Sequence, residues 1–528
     1  MSRGIAVAVT ALLVGCGRAA APPAPPAAVA AVPPAVREQL LDGAVTVLDR
    51  LDQFDEAAAY AQVFDRLNQW SHARAVAGAA PWAVDPLVAT LPERLRPLAA
   101  EERLGSSTFD VSGDVVALRD CRWLADIARQ ARVGIAPDDD LATAVAVFRW
   151  TVRALAPVSD PPTVPSASNP GTRWMLPGEI LLSGRASAPQ RAWIFLELLR
   201  QAGLDGVMLA TGDTAADARP WIPALISGGE AYLFDPAYGM PIPGPGGVGV
   251  ATARQAAADP AVLAALALPD RPYPVQAADA GRLAVLVAAD PWSLSRRMAD
   301  VEGGLGAGRE WRLALDASAV AERARAAVPG AAEAGLWAFP WETLARRRDT
   351  AATAAMLGRE LAPLAVTFSQ GRGDPRQGMR VSRPLLAARI REFRGDLDGP
   401  DGAKASYLLA RPSRQVISEA VRAVPPPQAD AVRRLYEQMK EDATYWLGVL
   451  TLAEGEYEAA IDYLRRMTLE AAPDSRWADA ARLNLAEALL GAGDVAGATA
   501  LLREDASPQR FGSRLRAARL ERAAAGEK

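Results

Sequence analysis

One histidine and two cysteines in 528 residues leave this chain almost no covalent or metal framework to fold around. A zinc site of the Cys/His type needs more such ligands than the chain owns, and no paired-histidine motif is possible. The fold must therefore be held by apolar packing, for which a 50% hydrophobic content is ordinary supply. Lys and Arg number 58 against 62 Asp and Glu, a net charge of −4, so there is no basic footprint for nucleic acid. No apolar run beyond the N-terminus is long enough to cross a bilayer.

The chain begins Met1-Ser-Arg3, runs almost unbroken through apolar residues 5–14, and reaches Gly15-Cys16. That stretch has the layout of a secretory signal and is too short to span a membrane. The order Leu13-Val14-Gly15-Cys16 resembles the lipobox of bacterial lipoproteins. The resemblance implies that residues 1–15 are a signal peptide and that Cys16 carries the lipid. Residues 16–36, nearly all Ala, Pro and Val after Ala19, then read as an extended spacer. The expected location is the cell envelope, lipid-anchored to the outer membrane or to the periplasmic face of the inner membrane.

With Cys16 assigned to lipid, Cys121 has no disulfide partner. It lies in Leu118-Arg-Asp-Cys-Arg-Trp-Leu124, a helical pattern with an apolar side, and reads as a small core residue rather than a reactive thiol. Residues 37–117 form a helical N-terminal region in which His72 falls late in a helix as a surface or capping residue. Helices are expected over 119–131 and 141–155, with Asp138-Asp-Asp140 capping the second rather than binding metal. A helix over 189–202 stops at Gly203. Strands follow at 207–210, 221–226 and 231–234, the last two joined by the hairpin signal Gly228-Gly229.

Gln190-Arg-Ala-Trp-Ile-Phe-Leu-Glu-Leu-Leu-Arg-Gln-Ala-Gly203 ahead of a strand, with Trp221-Ile222 and Tyr232-Leu-Phe-Asp235-Pro236, resembles the core of the transglutaminase-like superfamily. Its chemistry is papain-like: a helix-N-terminal Cys is activated by a His, which an Asp orients. Carried across by position, the nucleophile falls at Ala188 beside Ser187, the base at Arg219 and the orienting carboxylate at Asp235. Arg219 keeps its proton at any working pH and cannot act as a base. The resemblance thus implies a degenerate, non-catalytic domain over 118–270. Ser187, Arg191, Trp221 and Tyr238 are its candidate cleft residues. The alternative is an active amidase, peptidase or transglutaminase-like enzyme with an unrecognised nucleophile near Ser187.

Gly244-Pro-Gly246-Gly-Val-Gly249 matches a dinucleotide fingerprint only formally, because Pro241, Pro243 and Pro245 interrupt the approach. No cofactor is expected. The loop around it either lines a groove over the cleft or simply packs. Residues 271–424 read as mixed α/β, with a strand–helix–strand unit placed at 311–316, through 326, and at 334–341. From Pro425-Pro-Pro427 onward the pattern is helical. Asp442-Ala-Thr-Tyr-Trp-Leu447-Gly448, Gly455-Glu-Tyr457-Glu-Ala-Ala460, and Leu485-Ala486 with Gly493 and Ala498 resemble tetratricopeptide repeats. A third, poorly matching unit falls near 413–439. Two such repeats rarely stand alone, so packing on the preceding domain is expected. They offer either a surface for a protein or peptide partner or a stabilising cap. The fold class is α+β, and the expected role is a membrane-anchored binding scaffold.

Overall fold

The strands at the centre of the molecule are apolar on both faces, and this dictates a layered arrangement with the sheet in the middle. The computed structural model describes residues 33–76, 82–159, 174–212, 218–306, 308–331, 333–347, 350–371 and 379–526. Residues 1–32, which include Cys16 and most of the segments expected to be signal and spacer, lie outside the described residues.

The main sheet has six strands: β1 (Asp205–Thr211), β2 (Arg219–Ser227), β3 (Glu230–Asp235), β4 (Met240–Pro241), β5 (Leu283–Val287) and β6 (Ala334–Leu336). Their order is β4-β3-β2-β1-β5-β6, antiparallel except for the parallel pair β5–β6. The sheet thus draws strands from both sides of residue 270. The β2–β3 hairpin turns on Gly228 and Gly229, whose φ values of +59° and +77° suit glycine at both central positions.

Side chains alternate between two cores. Met208, Ala210, Leu225 and Phe234 face one way, and Val207, Leu209, Ala224 and Leu233 the other. The first face is covered by α3 (Ala188–Gln201), behind which lie α1 (Val116–Ala131) and α2 (Asp140–Ala154). The second face carries α4 (Ala317–Ala327). Asp139 caps α2, accepting from the Ala142 amide at 2.9 Å. The helices Pro34–Leu48 and Glu56–Val76 pack together against Phe109, Met298, Trp311 and Leu313 in a third core.

Two expectations need correction. Residues 311–316 are extended but pair with no strand. Side chains stand in for a neighbouring strand: Leu313 and Ala314 amides donate to Glu302 at 2.5 and 2.8 Å, and Gln201 brackets both backbone groups of Arg312. The strand that precedes α4 in the sheet is β5, and residues 338–347 are helix rather than strand. Residues 413–439 do not form a third repeat. They span the short helix α5 (Arg414–Arg422) and the first half of the 28-residue α6 (Pro426–Ala453).

Beyond α6 the chain is largely helical, with the helical segment Tyr457–Glu470 and then α7 (Ala478–Gly491), α8 (Val495–Arg503) and α9 (Arg510–Ala524). Leu447 and Leu485 are buried at equivalent places, and Ala460 and Ala498 fill the tight crossings. The helices do pack on the mixed core: Trp446 stacks over the Arg389 guanidinium, 3.6 Å from its ring centre, and Asn484 donates to the Arg153 carbonyl. Among the described residues no helix is long and apolar enough to cross a membrane.

Candidate functional site

The α3 N-terminus is built by Ser187, whose amide donates to Gln190 Oε1 at 3.0 Å, with Pro189 in the first turn. Ser187 is 1% exposed, so no open cleft leads to it. Ala188 follows, half-buried. One turn along, Arg191 is also 1% exposed and fills the space in front of the helix. All five of its N–H donors are used. Nε and Nη2 donate to the Leu155 carbonyl at 3.0 and 2.5 Å, and Nη2 also to Val152 O at 3.3 Å. Nη1 donates to Pro236 O at 3.2 Å and to Gln509 Oε1 at 2.6 Å. Among the described residues no carboxylate lies within ion-pair distance of this guanidinium. Burial pulls its pKa down to about 10, so it remains a cation at neutral pH.

Asp235 ends β3 and is buried. Its Oδ1 accepts from the amides of Ala237 and Tyr238 at 2.8 and 3.0 Å, closing the turn at Pro236. Its Oδ2 accepts from the Tyr273 hydroxyl at 2.8 Å. Burial raises the Asp235 carboxyl above its ordinary value. Trp221 Nε1 donates to the same tyrosine oxygen at 3.1 Å, and the Tyr238 ring stands edge-on to Tyr273 at 5.3 Å. Tyr273 therefore takes up the second oxygen of this carboxylate.

Arg219 is elsewhere. It opens β2, pairs with Thr211 and is exposed. Continuing the β2–β3 register puts Asp235 opposite Ile222, so Arg219 lies three residues beyond. The structure thus gathers Arg191, the Asp235–Tyr238 turn and Trp221 into one neighbourhood and leaves Arg219 outside. His72 is exposed on the helix Glu56–Val76. The thiol of Cys121 is pushed up by burial, beside the carboxylates of Glu197 and Asp290, the opposite of an activated nucleophile.

Sequence reading missed Tyr273 and Gln509, because both act across long separations with no local signature. Gln509 is held by a buried polar turn: Asp505 accepts from Ser507 and Ser513 hydroxyls at 3.0 and 2.6 Å, and Ser507 Oγ accepts from the Gln509 amide at 3.1 Å. The loop 244–249 is a tight excursion between Pro243 and Val250, not a strand entering a helix. Among the described residues no group of three or more His, Cys, Asp or Glu side chains is placed to hold a metal ion.

A family model described as a tetratricopeptide repeat matches residues 451–520, the segment that contains Gln509. No curated protein and no solved structure matches the chain. The C-terminal helices are a tetratricopeptide-repeat region, and such repeats suggest protein partners.

Proposed function

We propose that this chain is a non-catalytic envelope lipoprotein that binds a protein or peptide partner, with a degenerate transglutaminase-like core serving as platform for its repeats. The observation that carries this reading is Arg191, a buried cation seated where the family's cleft would open and bonded to Gln509 of the repeat region. A guanidinium in that place supplies neither nucleophile nor base. The occupied carboxylate of Asp235 and the remote, exposed Arg219 support the same reading. Membrane attachment through Cys16 rests on the sequence Leu13-Val14-Gly15-Cys16 and the spacer after it.

Affinity capture from detergent-solubilised envelope by the full chain tests the proposal. Recovery of a defined partner, lost when the exposed repeat residues Tyr457 and Val495 are both changed to Asp, is the expected result. Recovery of no partner, or recovery indifferent to those changes, would contradict it.

A further inference from the structure

Between α2, the strand at Met240 and the helices of the repeat lies a groove of about 560 Å³, a volume typical of ligand sites. Its walls carry three guanidinium groups, Arg149, Arg153 and Arg516, against one carboxylate, Glu487. Arg516 is paired with Glu487. Arg149 and Arg153 sit one turn apart on the same face of α2, and neither has a carboxylate within ion-pair distance among the described residues. Two like charges at that spacing repel, and partial burial of Arg153 adds to the cost. An anion bridging them would relieve both. Guanidinium groups hold a carboxylate or a phosphate through paired parallel N–H bonds, and the apolar side chains beside them favour a carboxylate carried on a peptide. The rest of the lining mixes the amides of Asn484 and Gln509 with apolar side chains, among them buried Phe148 and the partly exposed ring of Tyr457.

We propose that this groove binds an acidic peptide segment of a partner protein, with a side-chain carboxylate held between Arg149 and Arg153 and a neighbouring apolar side chain against Tyr457. The assignment rests on the scaffold reading above and names its site and the chemistry of its partner. Arg149 and Arg153 belong to the mixed core and Tyr457 to the repeat, so the site exists only where the two are packed together.

The test is fluorescence anisotropy of the full chain in detergent with a labelled, C-terminally amidated peptide of alternating Glu and Leu. The same peptide with Lys for Glu, and inorganic phosphate as competitor, are the controls. Binding of the acidic peptide alone, undisplaced by equimolar phosphate, is expected. Affinity should fall about tenfold or more in the Arg149→Gln, Arg153→Gln double variant and stay unchanged in Arg422→Gln, an exposed arginine away from the groove. Arg153→Lys, which keeps the charge and loses the fork, should fall between. An unbound acidic peptide, an indifferent double variant, or displacement by equimolar phosphate would overturn the assignment. Partner capture by the double variant at wild-type yield would overturn it too, while leaving the scaffold reading intact.

Discussion

Arg191 Nη1 and Gln509 Oε1 meet at 2.6 Å across 318 residues of sequence, joining the first turn of α3 to the repeat region in a fully buried contact. Gln509→Ala leaves a buried guanidinium short of an acceptor, at a cost of about 1–3 kcal/mol. Arg191→Met removes the donor but leaves the Leu155 and Pro236 carbonyls without it, at a similar or larger cost. The double variant should be more stable than the sum of the single losses, by at least about 1 kcal/mol in a urea-denaturation cycle. Strict additivity would show that the contact does not join the two parts.

Gly512, in the first turn of α9, lies directly against the backbone of Tyr238, and a Cβ there would lie 1.8 Å from the Tyr238 carbonyl oxygen. Gly512→Ala should therefore destabilise by about 1–3 kcal/mol, outweighing the gain in helix propensity. Gly303 lies in the helix Arg296–Gly304 with nothing near it, so Gly303→Ala should be neutral or stabilising by up to about 1 kcal/mol. Thermal unfolding of both variants checks the contrast. A harmless Gly512→Ala would mean that α9 is not seated on the Tyr238 turn.

Burial pushes the Glu197 carboxyl up to about 7, against the pull of the paired Arg200 guanidinium. The folded carboxyl holds its proton more tightly than the unfolded one, whose ordinary value is 4.5. Its contribution to stability is thus full below that value and lost as pH rises through about 7, with a slope of at most roughly 1.4 kcal/mol per pH unit. Glu197→Gln removes this slope. Between about pH 5 and pH 8 the stability difference should move in favour of the variant, whatever constant offset the lost ion pair introduces. Parallel pH profiles in urea denaturation would contradict this.

The proposed lipid attachment at Cys16 predicts incorporation of labelled palmitate in bacterial cells and recovery of the chain with the membrane fraction. Cys16→Ser should abolish the label and release the protein to the soluble fraction. Labelling that persists in Cys16→Ser would place the lipid elsewhere.

Local signals were legible where neighbouring residues decide the geometry. The Gly228-Gly229 turn, the Asp139 cap and the Gly203 stop each depend on backbone within a few residues. The run Leu283-Ala-Val-Leu-Val287 was not, because a strand buried on both faces loses its alternation and resembles a buried helix segment. Residues 311–316 misled for the opposite reason. Trp311 and Leu313 are buried and Arg312 is not, a strand-like pattern, yet the hydrogen bonds come from Glu302 and Gln201. At the candidate site, the positions Ala188 and Arg219 could be proposed from the resemblance. What fills the space could not. Tyr273 and Gln509 reach their partners through the tertiary fold, and only that fold leaves Arg149 and Arg153 without an ion-paired carboxylate among the described residues.

Turnover by the purified full chain decides whether the α3 N-terminus carries out acyl transfer, which the proposed function excludes. Ammonia release and Gln–Lys crosslinking, followed with peptide substrates across the neutral range, should not rise above a protein-free control. Turnover that Ser187→Ala or Asp235→Asn abolishes, while the variants remain folded, would contradict the account.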